Sequence, residues 1–225
     1  MKNRALIFTI LSVLLFVLIQ DEHWLLGWDF LDMIFLTLLL IGIDRKWNVF
    51  YFTGLFIVAL FNRETALFIP LWMFLDAFSK KDRKKIGYSI VLAMIGIAVI
   101  YLLRENFYGS YQFYKTHSIY TGLDTTQAIY GNHFWLMENL SNPISTFPPW
   151  KSELSLIPLI MIVITGYFTL QWKSLNITNK NIVLLMISMV ILIFTTAVIH
   201  ETRTWFILIP YIIYLMQNIR YEIGK

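Results

Sequence analysis

Apolar residues are gathered into eight runs along the chain. Short polar stretches separate all neighbouring runs except the fifth and sixth, between which residues 104–153 lie. A helix needs about 20 residues to cross the hydrocarbon core of a bilayer, so interfacial residues must complete the shorter runs. The runs cover residues 5–19, 30–43, 47–61, 65–78, 86–103, 154–171, 182–199 and 204–216. We therefore predict an all-α fold, a polytopic transmembrane bundle of about eight helices within a single membrane domain, 1–225.

Composition supports a membrane protein. Hydrophobic residues make up 58% of the chain and charged residues 14%, whereas soluble domains average about 45–50% and about 25%. So little polar surface cannot coat a water-soluble globule, and lipid must cover most of the exterior. The chain has no cysteine, which excludes a disulfide framework and cysteine-based metal sites. Residues 1–19 resemble a signal peptide in charge, but lack a small-x-small cleavage site, so they predict an uncleaved first helix.

The basic residues fix the predicted orientation. With the N-terminus inside, 13 of the 18 Lys and Arg residues fall in inner segments, as the positive-inside rule requires. Both termini are then cytoplasmic, in what we expect to be the inner membrane of a prokaryote. A pI of about 9.2 does not indicate nucleic acid, because the charges sort by membrane side. The inner set is Lys2, Arg4, Arg45, Lys46, Lys80, Lys81, Arg83, Lys84, Lys85, Lys173, Lys180, Arg220 and Lys225.

A polar segment, Asn62-Arg63-Glu64-Thr65, separates two runs at the predicted outer surface. Thr65 is suited to cap the following helix and Glu64 to lie in its first turn. Neither role explains Arg63. An arginine at this boundary either extends to the headgroups or binds an anion.

A second outer segment, residues 200–203, has the sequence His-Glu-Thr-Arg. In both segments a proline, Pro70 or Pro210, follows the arginine by seven residues, and each proline is expected to free backbone groups that a neighbour must satisfy. We predict that the two segments converge on one outer pocket; the alternative is a simple Arg–Glu ion pair within each. No second histidine follows His200 at the spacing of a zinc motif.

Acidic residues cluster near the first outer turn, at Asp21, Glu22, Asp29 and Asp32. Asp29 and Asp32 share a helix face. Asp32 either lies below the headgroups, where a carboxylate is usually functional, or is shallow and reaches up to water. The outer acidic residues indicate a functional site on this side of the membrane. The alternative is that they lie there by chance, because the positive-inside rule constrains only Lys and Arg.

The outer loop 104–153 is rich in aromatic residues interleaved with polar ones, unlike a disordered linker. It suits either a sugar-binding surface or docking onto the bilayer. Several tryptophans, Trp47, Trp172 and Trp205 among them, fall near predicted interfaces and are expected to anchor there as an aromatic belt.

Three stretches carry a family resemblance: NRETALFIPLW at 62–72, SKKDRKK at 79–85 and HETRTWFILIPYI at 200–212. Together they resemble integral-membrane glycosyltransferases of the GT-C type, closely over 30–85 and loosely over 195–215. The resemblance implies transfer of a sugar from a polyprenyl-phosphate donor to an acceptor on the non-cytoplasmic side. The chain departs from the family in its first outer loop, which is confined to residues 21–28.

The resemblance also implies roles. Arg63 would lie near the lipid phosphate, with Glu64 in the same pocket. The general base would be one of Asp21, Glu22 or Asp29, and no cofactor is expected, although a divalent metal stays open. The predicted substrate-binding residues are Arg63, Glu64, His200, Glu201 and Arg203. The alternatives are a carrier or flippase for a lipid or small solute, and a membrane assembly subunit.

Overall fold

The structure, a computed structural model, describes residues 27–107, 156–196 and 202–223. This part of the chain is all helical, as predicted. It contains seven α-helices: α1 Gly27–Asp44, α2 Val49–Leu60, α3 Phe68–Ser79, α4 Arg83–Phe107, α5 Leu156–Leu170, α6 Ile177–Thr196 and α7 Ile209–Ile223. Three 3₁₀ helices lie between them: Glu64–Leu67, Trp172–Ser174 and Thr202–Leu208. The predicted helix at 5–19 and most of the outer loop 104–153 lie outside the described residues.

Each of the other seven apolar runs overlaps one of these helices, but several ends differ from the prediction. Helix α6 begins at Ile177, five residues before the run that predicted it. Asn176 caps this helix, since its Oδ1 accepts a hydrogen bond from the Asn179 amide at 2.8 Å. The first five residues of α6 include Asn179 and Asn181, which are buried although polar. A prediction from hydropathy alone therefore leaves them out of the helix.

Helices α1 and α3 end in the same way. Lys46 and Lys81 adopt left-handed backbone angles, with φ of 53° and 57°. The next residue then donates its amide proton back to the helix, from Trp47 to Gly42 O and from Asp82 to Ala77 O, both at 2.9 Å. This Schellman arrangement reverses the chain within a few residues, so α1–α2 and α3–α4 are antiparallel hairpins.

Three turns lie at one end of the bundle, which we call the basic end: residues 45–48, 80–82 and 171–176. Ser79 Oγ donates to Asn181 Oδ1 at 3.0 Å, so the end of α3 adjoins the start of α6. Asp82 caps α4 by accepting from the Lys85 amide at 3.2 Å. This hydrogen bond is the main cause that lowers the pKa of the partly exposed Asp82 carboxyl, against slight desolvation.

All seven helices contribute to one hydrophobic core. A Cβ atom built on Gly96 of α4 would come within 2.5 Å of the Phe56 ring and 3.0 Å of Leu67, so a glycine is needed for this close approach. Trp205 also belongs to the core. It is fully buried, with its ring 6.1 Å from that of Phe194, so its predicted place in an interfacial belt is wrong.

Two helices, Arg83–Leu103 within α4 and Ile177–Thr195 within α6, are long and apolar enough to cross a membrane. They differ in their surroundings, because 17% of the α4 segment is buried inside the protein against 44% of the α6 segment. Large apolar side chains such as Val91, Met94 and Ile97 are more than half exposed on α4.

Candidate functional site

A buried carboxylate joins α1 to the loop between α2 and α3. Asp32, in the second turn of α1, is 2% exposed. Its Oδ1 accepts hydrogen bonds from Asn62 Nδ2 at 2.7 Å and from Thr65 Oγ1 at 2.8 Å. Its Oδ2 lies 3.7 Å from Arg63 Nη1, in an ion pair. We call Asp32, Asn62, Arg63 and Thr65 the Asp32 cluster.

The local fold explains why three loop residues reach one carboxylate. The amides of Asn62 and Arg63 both donate to Ala59 O, at 2.9 and 3.2 Å, and this closes the C-terminal end of α2. Arg63 is extended, and the 3₁₀ helix Glu64–Leu67 follows it, with the Ala66 amide donating to Arg63 O at 3.1 Å. This tight reversal directs the side chains at 62, 63 and 65 toward α1.

Thr65 therefore does not cap the following helix, and that prediction is wrong. Thr65 lies inside the 3₁₀ helix Glu64–Leu67, and the residue before that helix is Arg63. No side chain caps the 3₁₀ helix or α3. The Thr65 hydroxyl instead donates to Asp32. Glu64 does occupy the first turn of the 3₁₀ helix, as predicted.

Burial makes these contacts necessary. A carboxylate removed from water is costly unless hydrogen bonds and an opposite charge compensate it, and the cluster supplies both. The interpretation that Asp32 is shallow and reaches up to water is wrong, because only 3% of its side chain is exposed.

Arg63 connects the buried carboxylate with the surface. Its side chain is 28% exposed, and its guanidinium carries five N–H donors in a planar fork. One edge faces Asp32 at ion-pair distance rather than hydrogen-bond distance. The carboxylate thus holds the guanidinium in place, and a fixed guanidinium at the edge of a buried site is suited to bind a phosphate or carboxylate.

The two prolines lie near the start of their α-helices. Pro70 lies in the first turn of α3, and Pro210 is the second residue of α7. At these positions the missing N–H has no acceptor within the α-helix itself, although the 3₁₀ helix that precedes each α-helix would supply one. The expectation that each proline frees backbone groups for a neighbour stays a prediction. In both segments a 3₁₀ helix leads directly into the proline-bearing α-helix.

The second predicted segment approaches the same helix as the first. The 3₁₀ helix Thr202–Leu208 packs against α1, α5, α6 and α7, while Glu64–Leu67 packs against α1, α2, α3 and α4. Both thus contact α1, the helix that carries Asp32. Their convergence on one pocket stays a prediction, because several predicted site residues lie outside the described part, entirely or in their side chains: Asp21, Glu22, Asp29, His200, Glu201 and Arg203.

Sequence reasoning did not connect Asp32 with the loop at 62–65. A single carboxylate near the start of an apolar run was the available signal, but its partners are 30 to 33 residues away. In the described part of the chain, no three His, Asp or Glu side chains are grouped as metal ligands.

No family model, curated protein or solved structure matches this chain at a significant level.

Proposed function

We propose that the chain is a multi-pass membrane protein of the GT-C glycosyltransferase type, with Arg63 binding the phosphate of a polyprenyl-phosphate sugar donor. The observation that carries this proposal is a partly exposed guanidinium held by a buried carboxylate, Asp32.

Membrane placement rests on exposure rather than on length. The apolar core helix of a soluble protein is buried, whereas the apolar segment of α4 is mostly exposed. Phe50 in α2, Phe61 at the end of α2 and Leu170 in α5 are more than two-thirds exposed. An apolar surface of this extent is stable only against lipid or another apolar partner. The basic end then faces the cytoplasm by the positive-inside rule, and the Asp32 cluster faces the other side.

The chemistry of transfer assigns each group a role. The bond between the anomeric carbon and the phosphate oxygen breaks, the electron pair stays on the lipid phosphate, and the acceptor hydroxyl oxygen bonds to the carbon. Arg63 stabilises the charge on the departing phosphate. A carboxylate accepts the hydroxyl proton, a contribution of about 10²–10⁴-fold in rate. Asp32 is unsuited to that task because two donors occupy its Oδ1, Arg63 faces its Oδ2 and only 3% of its side chain is exposed. Asp21, Glu22 and Asp29 therefore remain the candidates.

Binding is tested with the full-length protein in nanodiscs and a polyprenyl-phosphate hexose as probe. Arg63→Gln should weaken binding at least tenfold, and Arg63→Lys should restore it only in part, because an ammonium lacks the fork. Arg45→Gln, at the basic end, is the matched control and should bind like the wild type. Equal binding by the wild type and Arg63→Gln, or no binding by the wild type, would refute the proposal.

Transfer is tested separately with Asp21→Asn, Glu22→Gln and Asp29→Asn. Replacement of the true base should leave donor binding intact and slow the transfer step. If all three variants transfer at the wild-type rate, the base assignment is wrong. If the wild type binds the donor but transfers no sugar to any acceptor hydroxyl, a lipid carrier becomes the better interpretation.

A further inference from the structure

The depth of the Asp32 cluster follows from helix geometry. Asp32 lies twelve positions before Asp44, the last residue of α1, which places it about 18 Å along the axis from the basic end at 1.5 Å per residue. The neighbouring turn holds Arg45 and Trp47, 5.7 Å apart in a cation–π contact, as is typical of a membrane interface. A hydrocarbon core about 30 Å thick would therefore extend about 12 Å beyond the cluster.

The hairpin that carries the loop is equally short. Helices α2 and α3 have 12 residues each, or about 18 Å. The 3₁₀ helix Glu64–Leu67 adds little height, because Thr65 contacts Asp32 at 2.8 Å. This hairpin does not reach the far side of a bilayer of ordinary thickness.

Helix α4 is long enough to do so. It has 25 residues, about 37 Å, and it continues past the loop. A Cβ atom built on Gly96 would lie 3.0 Å from the Leu67 side chain, so the loop lies level with the middle of α4. The exposed Ile95 on α4 and the exposed Phe61 at the end of α2 are thus at similar heights on elements of different length.

The exposed apolar face of α2 is followed directly by polar residues. Ile57, Val58 and Phe61 are 50%, 58% and 72% exposed, and Asn62, Arg63 and Glu64 follow at once. Lipid chains that cover Phe61 at ordinary thickness would also cover the loop and remove Arg63 and Glu64 from water. A short hydrophobic element is instead accommodated when the bilayer thins around it.

We propose that the bilayer is thinned beside the α2–α3 hairpin, so that lipid phosphates of the far leaflet descend to the level of Arg63. The phosphate of a lipid-linked substrate then reaches the Asp32 cluster sideways, past α2, without leaving the membrane. This inference rests on the membrane placement in the proposed function and specifies the route by which its donor arrives.

The test uses nitroxide labels, which the absence of native cysteine permits. Phe61→Cys and Ile95→Cys are compared in the full-length protein in vesicles of phosphatidylcholine and phosphatidylglycerol, with Lys84→Cys as a reference at the basic end. Accessibility to oxygen and to a water-soluble nickel complex gives the depth of each label. We expect the label at 61 near the phosphates and the label at 95 about 12 Å below them, from the lengths above.

The outcomes separate the two proposals. Two labels buried at equal depth would overturn local thinning but leave membrane placement and phosphate binding standing. Two labels equally open to the nickel complex would overturn membrane placement, and the proposed function with it. A label at 61 that is deeper than the one at 95 would also overturn local thinning.

Discussion

At the basic end, charged side chains pair with neighbours one turn away, whereas at the other end a charge pairs across the bundle. Lys80 Nζ lies 2.8 Å from Asp76, four residues before it, and the lysine side chain is 62% exposed. Arg63 lies 3.7 Å from Asp32, which is 31 residues before it and almost fully buried. The closer pair is expected to matter less, since water screens it.

The comparison shows that burial decides the consequence of breaking an ion pair. An exposed pair within one helix contributes about 0.3–0.5 kcal/mol. A buried pair adds little net stability when intact, but loss of one partner leaves an uncompensated charge. The Asp32 cluster therefore specifies where the loop lies, whereas the ion pairs of the basic end contribute little to the position of their helices.

Removal of Arg63 should have the largest effect. Arg63→Met leaves the Asp32 carboxylate buried without its cation, and we expect a loss of about 3–5 kcal/mol in the free energy of unfolding. Lys80→Met removes the exposed partner of Asp76 and should change it by less than about 0.5 kcal/mol. Reversible unfolding in mixed micelles measures both; similar losses for the two variants would contradict the distinction between the ends.

Two glycines of α4 should respond in opposite directions. At Gly96, a methyl group would collide with the buried Phe56 ring, so Gly96→Ala should cost about 1–3 kcal/mol. At Gly87, near the basic end, an added Cβ meets nothing within 4 Å, and Gly87→Ala should stabilise by about 0.5–1 kcal/mol through helix propensity. A stabilising Gly96→Ala would show that α4 does not pack closely against α2 and the loop.

The smallest effect concerns pH. Because the folded state lowers the pKa of Asp82 below its usual value, its contribution to stability is complete above about pH 3.9 and disappears as the pH falls through the folded pKa. Asp82→Asn should therefore be slightly less stable than the wild type at neutral pH and lose that difference in acid. A difference that stays constant down to pH 2 would show that the carboxylate charge is not responsible.

The sequence predicts which segments are helical far better than how they meet. Apolar runs report local hydropathy, which is why α1 to α7 appear in the prediction. The start of α6 is missed because Asn179 and Asn181 are polar yet buried. Trp205 is misplaced for the opposite reason, since an apolar aromatic suits a core as well as an interface.

The candidate site was predictable only in part. Arg63 and Glu64 stand out because they lie in a short polar break between two apolar runs. The partnership with Asp32 depends on the tight reversal after α2, on the extended Arg63 and on a 3₁₀ helix that carries Thr65. Such long-range contacts leave no periodic signal in one sequence. The sequence therefore predicts instead that Thr65 caps the helix that follows it.

The coupling free energy between Asp32 and Arg63 tests the central claim most directly. A double-mutant cycle with Asp32→Asn, Arg63→Gln and the combined variant isolates this pair, and the same cycle on Asp76 and Lys80 serves as the reference. We predict a coupling above about 1.5 kcal/mol for the buried pair and below about 0.5 kcal/mol for the exposed one. Equal couplings would mean that Asp32 does not hold Arg63 in place, and the account of the site would be wrong.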